Sequence, residues 1–371
     1  MNKSDAIFFE LLQASVGNRD RLSFAISPEE WEEVYDTVKK QAVIGITIAG
    51  LEVLPPEQRP PLRRIRQWGV KAEHLREKNE KMDAQCRLLC KKFMDDGMDS
   101  LILKGQGNMI YYPSGLQRLR VCGDIDIWVW PKEGSKGAKH PVRHVIEYCT
   151  GLRRGEFVYY HNLDWPVLRD TTVEVHYRPT WLFCPWRDRR LQRWLKEHRQ
   201  MVEYNGYFIP TIKFNAVFQL LHLYKHIFEE GIGLRQLIDY YFLLSKLSDD
   251  ERSEVFTVFK KIGVIDFAGG VMYLLQRVLA MPDDYLLCPA NEDTGKELLD
   301  DVMAGGNFGH YNKDLRWELT PDADLLTRTR YAWQKLKRNF RFLHHYTLEV
   351  LWEPPFRIMH WAWRTFRLWR V

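Results

Sequence analysis

Apolar residues recur every three or four positions near both ends of the chain, which predicts amphipathic helices there. Ser27-Pro28-Glu29-Glu30 has the pattern of a capped helix start, with glutamate three residues after the N-cap serine. A long helix is predicted from about Leu62 to Asp96, and its charged residues at 71–81 are expected to face solvent. The first 98 residues therefore form a predicted N-terminal helical region.

In the middle of the chain, strict alternation of apolar and polar residues replaces the helical period. A hairpin is predicted over 201–211, because Asn205-Gly206 separates two β-rich runs. The predicted strands are 100–104, 124–130, 156–161 and 172–178, with helices at about 106–112 and 141–150. We therefore predict a core over 99–211, a helical region over 212–371, and an α+β fold class.

Composition narrows the classes of protein that the chain can represent. The formal net charge of +5 over 371 residues favours phosphate-bearing partners. The basic residues are too dispersed for a nucleic-acid groove, so nucleic acid is not the expected partner. Six cysteines without a CxxC pair predict reduced thiols. With no signal-peptide pattern and no apolar run of about 18 residues, we expect a cytoplasmic protein.

Two acidic residues carry the first chemical signal. Asp124 and Asp126 alternate with Ile125 and Ile127, so both carboxylates are expected on one face of a strand. Such a pair repels itself unless a cation lies between the two groups. Carboxylate oxygens suit Mg²⁺, which proteins commonly hold together with substrate phosphates. The pattern predicts one or two Mg²⁺ ions and a nucleotide.

The order of the motifs resembles a known family. Lys104-Gly105 at a strand end, then Arg120, Gly123-Asp124-x-Asp126 and Val173-Glu174-Val175-His176, are similar to nucleotidyltransferases that share the fold of DNA polymerase β. The nearest resemblance is to a bacterial branch of uncharacterised nucleotidyltransferases, which commonly has Lys-Gly where the superfamily has Gly-Ser or Gly-Gly. It covers roughly the middle half of the chain. It implies a mixed-sheet core of the polymerase β type and Glu174 as a third catalytic, metal-binding carboxylate beside Asp124 and Asp126.

The turn after the first strand is the candidate phosphate site. Glycines between a strand and a helix let backbone N–H groups approach phosphate oxygens, so Gly105 and Gly107 are candidate nucleotide-binding residues. Lys104 either supplies positive charge to the β- and γ-phosphates or is simply a lysine at a strand end. Arg120 either clamps phosphate or braces a carboxylate.

The third acid leaves two interpretations open. Glu174 and His176 alternate onto one strand face. Glu174 either binds metal or takes the proton of an acceptor hydroxyl, or it belongs to the polar face of an edge strand. Aspartate often occupies this position in the superfamily, which leaves direct metal binding by glutamate open. His176 either orients Glu174 or only packs.

Two helical pairs are candidate acceptor or support residues. His222 and His226 lie one turn apart, as do Arg235 and Asp239, so each pair shares a helix face. Without the glutamate of HExxH or a third soft ligand nearby, zinc is not the expected occupant of the histidine pair. The segment resembles the same branch, which implies a helical element that faces the nucleotide site.

The predicted function is Mg²⁺-dependent transfer of a nucleoside monophosphate from an NTP, with ATP expected, to a hydroxyl of a small-molecule or peptide acceptor. A nucleotide-binding regulator without turnover and an RNA-directed nucleotidyltransferase are the alternatives. The tail at 356–371 interleaves aromatic and basic residues. It predicts either peripheral contact with an anionic membrane or packing of the aromatic rings on the body of the protein.

Overall fold

The computed structural model describes residues 3–151, 158–229, 231–309, 311 and 324–368. Helices dominate both ends of the chain, and a small sheet occupies the middle, so the fold is α+β. The helices are α1 (Lys3–Ser15), α2 (Pro28–Lys40), α3 (Ile44–Val53), α4 (Leu62–Asp95), α5 (Lys104–Gly107), α6 (Pro141–Thr150), α7 (Pro185–Glu197), α8 (Ile212–Glu229), α9 (Leu234–Leu244), α10 (Asp249–Ile262), α11 (Ile265–Leu279), α12 (Glu292–Gly305), α13 (Leu325–Phe340) and α14 (Thr347–Leu368).

The N-terminal helices follow the predicted pattern. At the start of α2, the Ser27 hydroxyl accepts a hydrogen bond from the Glu30 amide, and the Glu30 carboxylate accepts one from the Ser27 amide. This capping box was predicted and is confirmed. The long helix is also confirmed, with 34 residues in α4 and most of its charged residues at 71–81 exposed. Its buried side includes Met82 and Phe93, which pack against the sheet.

Four short strands form the main sheet. They are β1 (Met98–Leu103), β2 (Ile125–Pro131), β3 (Asn162–Asp164) and β4 (Val173–His176), in the order β1-β2-β4-β3. β2 runs antiparallel to β1 and parallel to β4, and β3 runs antiparallel to β4. The sheet is therefore mixed.

Two local predictions in this region are wrong. The strand predicted at 156–161 is displaced along the chain: Val158 makes only an isolated bridge with Leu163, β3 begins at Asn162, and residues 156 and 157 lie outside the described part. The helix predicted at 106–112 is instead the short α5 followed by a 3₁₀ turn at Met109–Tyr111. Positive φ angles at Lys104 and Gly105 interrupt a regular helix there.

The hairpin predicted from Asn205-Gly206 is confirmed. β5 (Met201–Tyr204) pairs antiparallel with β6 (Tyr207–Pro210), and Tyr204 lies opposite Tyr207. Asn205 and Gly206 both have positive φ, 51° and 79°, as a type I′ turn requires. β6 packs beside β1 and α4.

The two faces of β2 point into different cores. Ile125 and Ile127 belong to a smaller core shared with α4 and α6. Trp128 belongs to the larger core, where it stacks on Phe214 of α8 with ring centroids 5.5 Å apart. Because side chains alternate along a strand, Asp126 lies on the same face as Trp128. The sheet therefore directs its acidic residues toward α8.

The larger core joins both ends of the chain. It includes Ile7 of α1, residues of α8 to α12, and Val350 of α14. Among the described residues, no helix combines the length and apolar character needed to cross a membrane. The divisions at residues 98 and 211 stay predictions.

The described part of the C-terminal tail shows both packed and exposed rings. Phe356 packs against Tyr160 and Trp181, at centroid distances of 4.9 and 6.1 Å. Trp361 and Phe366 are exposed. Residues 369–371 lie outside the described part, and membrane contact of the tail stays a prediction.

Candidate active site

The strand register brings the predicted carboxylates together. Asp126 of β2 lies directly opposite Glu174 of β4 and Leu103 of β1. Asp124 precedes β2 by one residue and is close enough that repulsion by Asp126, together with burial, raises the pKa of Asp124 to about 6. Asp126 is buried, whereas Glu174 is partly accessible, with its side chain 27% exposed. The structure therefore brings the three predicted carboxylates close together.

Two basic side chains contact these acids. Lys104 forms an ion pair with Asp126. His176 places its Nε2 atom 2.8 Å from Oδ1 of Asp126 and 3.5 Å from Oε2 of Glu174. Asn162 donates a 2.7 Å hydrogen bond to Oε2 of Glu174. The site thus resembles a cation-binding cluster whose charge is balanced by the protein's own basic groups.

Proton affinities reflect this balance. Burial alone would lower the pKa of Lys104 and His176, but the neighbouring carboxylates raise both pKa values above their usual range. Burial alone would raise the pKa of Glu174, but the hydrogen bond from His176 and the charge of Lys104 hold it below its usual value. Glu174 is therefore ionised at neutral pH, whereas Asp124 becomes protonated as the pH falls through about 6.

The donor set permits a metal ion. One ligand atom each from Asp126, Glu174 and His176 lies within 4.8 Å of the other two. Asp124 adds a further carboxylate beside them. Carboxylate oxygens are the ligands that Mg²⁺ prefers, and the partly accessible Glu174 leaves room for water or phosphate oxygens. The residues present therefore fit a magnesium ion.

The two glycines of the predicted phosphate turn have different structural reasons. Gly105 has φ of +34°, in the region that disfavours other residues, and faces the Asp124 carbonyl. Gly107 is buried, and a Cβ there would lie 2.4 Å from the carbonyl oxygen of Ile102. Close packing on β1 already explains Gly107, so phosphate binding by it stays a prediction.

The Arg120 side chain forms an ion pair with a buried carboxylate. Its Nε and one terminal nitrogen donate two 2.6 Å hydrogen bonds to Asp239 of α9, which also accepts one of 2.6 Å from Tyr112. Arg235, one turn earlier on α9, donates to the Val121 carbonyl at 2.9 Å. Of the two interpretations of Arg120, the structure shows the bracing role. Phosphate binding stays a prediction and would require the guanidinium to leave Asp239.

The predicted histidine pair lies on one helix face. The Nε2 atoms of His222 and His226 are 3.0 Å apart, so one ring donates a hydrogen bond to the other. Burial, followed by the charges of Lys104 and His226, lowers the pKa of His222 well below its usual value. Burial and Lys225 lower the pKa of His226 to about 3. Both rings are therefore neutral near the acidic cluster.

Sequence reasoning missed several residues of the site. Nζ of Lys225 lies 2.8 Å from Nε2 of His161, 3.6 Å from Glu229 and 4.4 Å from the ring centroid of Trp181. His161 also packs against His176, with ring centroids 5.3 Å apart. Lys225 lies between His222 and His226 in the sequence. Treating every polar residue of this segment as a candidate would therefore have identified it. His161 and Asn162 were not predicted as site residues, because the sequence placed a strand at 156–161 whereas β3 begins at Asn162.

A polar cleft of about 360 Å³ lies elsewhere, between α4, the hairpin and the 104–120 segment. Its lining includes Asp83, Gln106 and Asn205, with Asp83 accepting a 2.9 Å hydrogen bond from Asn205. None of the three carboxylates lines this cleft. The acidic cluster, rather than the cleft, therefore carries the chemistry we assign.

Comparison with known proteins gives one family. A family model described as "Uncharacterised nucleotidyltransferase" matches residues 27–280. That range contains every residue of the acidic cluster and both helical pairs. No curated protein matches the chain significantly.

Proposed function

The chain belongs to this family of uncharacterised nucleotidyltransferases, and we propose that it moves AMP from ATP to a hydroxyl of a small-molecule or peptide acceptor, releasing pyrophosphate. The observation that carries the proposal is the register that sets Asp126 opposite Glu174, with Lys104 and His176 against them. We further propose that β1, β2 and β4 correspond to the catalytic sheet of polymerase β-like enzymes.

Asp124, Asp126 and Glu174 would hold one or two Mg²⁺ ions. A magnesium ion bound there would offset the negative charge that builds on the phosphate oxygens during in-line displacement. Contacts within the protein support this assignment, because they show that the carboxylates attract positive charge. Lys104 forms an ion pair with Asp126, and His176 lies within hydrogen-bond distance of it. Lys104, which pairs with Asp126, would be the residue that contacts a phosphate oxygen of the nucleotide.

Arg120 serves this site as a positioning residue in the proposal. It holds Asp239 on α9, while Arg235 holds the Val121 carbonyl. Together these contacts fix the segment that leads into Asp124. A fixed approach matters because misplacement of a reacting group by about 1 Å can cost about 10²-fold in rate.

The neutral His222 and His226 rings supply hydrogen-bonding groups for an acceptor hydroxyl. In the alternative in which Glu174 is not a metal ligand, its ionised carboxylate takes the proton of that hydroxyl. Trp181, Tyr160 and Phe356 form a group of packed rings beside His161. Aromatic faces suit a ring-bearing or peptide acceptor, which supports a small acceptor over a long polymer.

Radiolabel transfer tests the proposal. The protein is incubated with Mg²⁺, ATP labelled at the α-phosphate and cell extract, which is then separated into small-molecule, protein and RNA fractions. We expect Mg²⁺-dependent label in the small-molecule or protein fraction. Label confined to RNA would overturn the acceptor assignment and leave the catalytic one standing.

Glu174→Gln separates an enzyme from a nucleotide-binding regulator. The substitution keeps the shape of the side chain and removes its negative charge. For an enzyme we expect loss of label transfer with nucleotide binding retained. Unchanged transfer would remove Glu174 from the catalytic set, and no transfer by either protein despite binding would favour the regulator.

A further inference from the structure

Three potential metal ligands meet at the C-terminal side of the molecule, away from the acidic cluster. Glu297 projects from α12, and His344 and His345 lie in the turn between α13 and α14. Oε2 of Glu297 is 3.5 Å from Nε2 of His345 and 3.8 Å from Nε2 of His344. All three ligand atoms lie within 4.8 Å of one another.

These separations suit a tetrahedral ion. Zinc bonds to imidazole nitrogen and carboxylate oxygen of about 2.0–2.2 Å give tetrahedral edges of about 3.3–3.6 Å. The two Glu297–histidine distances lie at or just above that range. They are also long for direct hydrogen bonds, whose usual lengths are about 2.7–3.2 Å. Two imidazoles and one carboxylate are a ligand set that zinc uses with water as the fourth ligand.

Neighbouring residues leave the histidine nitrogens available to bind a metal ion. The Thr294 hydroxyl lies 3.3 Å from Nδ1 of His345, so a proton on Nδ1 can be donated to it and the lone pair of Nε2 is left to face Glu297. Thr294 is buried and precedes Glu297 by one turn of α12. The His344 side chain is 63% exposed, which leaves one side of the group open to water. The nearby Arg341 is already paired with Asp301.

We propose that Glu297, His344 and His345 form a zinc site. The ion would join α12 to the turn between α13 and α14 and keep its fourth position for water. All three residues lie beyond the range 27–280 that matches the family. The proposal therefore does not rest on the transfer reaction proposed above.

Zinc retention tests the proposal. The acidic cluster is a second group of three ligands, so binding is measured by competition with a chromophoric chelator in Asp126→Asn/His176→Ala and in the same variant with Glu297→Gln/His344→Ala added. We expect one zinc equivalent in the first variant and its loss from the second. No zinc in the first variant, or equal binding by both, would overturn the proposal.

Controls separate loss of ligands from loss of fold. His74→Ala removes an exposed histidine on α4 and should bind zinc as the unchanged protein does. His344→Ala alone, at an exposed position, should weaken binding by at least the about 10–100-fold typical of losing an outer-shell partner. Its melting temperature in a chelator should equal that of the unchanged protein. Unchanged affinity in His344→Ala would contradict the assignment.

Cobalt reports the coordination. Co²⁺ held by imidazoles and a carboxylate in a tetrahedron gives intense visible absorption, whereas an octahedral oxygen site gives weak bands. We expect the intense bands in Asp126→Asn/His176→Ala and their absence when Glu297→Gln/His344→Ala is added to that variant. Thr294→Val should weaken binding about tenfold while leaving the band positions in place, because it removes only the partner of Nδ1. Weak bands alone in the first variant would contradict a tetrahedral site.

Discussion

Asp126 is the most constrained side chain of the site. It is buried, it contacts both Lys104 and His176, and Asp124 lies close by. A buried carboxylate is stable only when paired, so the two basic groups maintain the acidic cluster without a metal. The charge of Asp126 raises the pKa of Asp124, whereas, against the effect of burial, His176 and Lys104 hold the pKa of Glu174 below its usual value.

The raised pKa of Asp124 makes magnesium affinity depend on pH. The pKa of this carboxyl is about 6, so it is ionised above that pH and protonated below it. Because a proton and a metal compete for the same oxygens, we expect apparent Mg²⁺ affinity to fall by up to about tenfold per pH unit below pH 6. Calorimetric titration with Mg²⁺ from pH 5 to 8 measures this. Asp124→Asn should remove the step, and persistence of the step would contradict the assignment.

Lys104→Met should move the fall in Mg²⁺ affinity to a higher pH. The positive charge of Lys104 lowers the pKa of Asp124, so its removal lets repulsion by Asp126 raise that pKa further. In the same titration we expect the fall in Mg²⁺ affinity to begin above pH 6. Lys78→Met, which removes a lysine outside the cluster that donates to the Cys122 carbonyl, is the control and should leave the step in place. A step at the same pH in both variants would mean that Lys104 does not act on Asp124.

At the scale of elements, a buried ion pair holds the segment that precedes Asp124 to α9. Arg120 and Asp239 are 6% and 3% exposed, and their two hydrogen bonds span 119 residues of sequence. The segment that leads into Asp124 is thus held by α9, a helix that begins much later in the sequence. This contact makes the site dependent on the C-terminal helical region.

Asp239→Asn should destabilise the protein strongly. It leaves the Arg120 charge buried without its carboxylate, which typically costs about 3–5 kcal/mol of unfolding free energy. Arg118→Ala removes an exposed pair with Glu80 and should cost at most about 1 kcal/mol. Urea denaturation of both variants measures the difference. Equal small losses would show that the Arg120–Asp239 pair does not support the fold.

Local rules predicted many of these elements. The capping box at Ser27, the turn at Asn205-Gly206 and the shared face of His222 and His226 depend on residues at most four positions apart. Pairing of Arg120 with Asp239 has no local pattern, because both residues read equally well as surface charges. The three-residue β3 was misplaced because so short a strand leaves almost no alternation to detect.

At the scale of the whole molecule, α14 closes over the segment that follows β4. Glu349 of α14 is buried and accepts hydrogen bonds from the Phe183 and Cys184 amides, at 2.6 and 3.4 Å. Farther along α14, Phe356 packs on Trp181, which contacts His161. The C-terminal helix therefore supports the packed rings of Tyr160 and Trp181 beside His161.

Glu349 should make stability fall as the pH rises from about 4.5 to about 7. Burial raises the pKa of Glu349 to about 7, above its ordinary value of 4.5. The folded state then binds more protons than the unfolded state between these two values. The stabilising contribution is fully present below about pH 4 and is lost as pH rises through about 7. A shift of this size corresponds to about 3 kcal/mol.

Glu349→Gln removes the titrating group and keeps a carbonyl oxygen for the two amides. We expect its unfolding free energy, measured in urea, to change less than that of the unchanged protein between pH 5 and 8. The exposed Glu292→Gln on α12 is the matched control and should retain the pH dependence. A parallel pH profile for Glu349→Gln would contradict the raised pKa.

The central claim is that the acidic cluster binds nucleotide through Mg²⁺. Calorimetry with a non-transferable α,β-methylene analogue of ATP tests it, with and without Mg²⁺, on the unchanged protein and on Asp124→Ala/Asp126→Ala. The melting temperature of the double variant, measured in parallel with that of Asp126→Asn, checks that loss of binding is not loss of fold. We predict Mg²⁺-dependent binding by the unchanged protein and none by the double variant. No binding by the unchanged protein, or the same binding by both, would contradict the account.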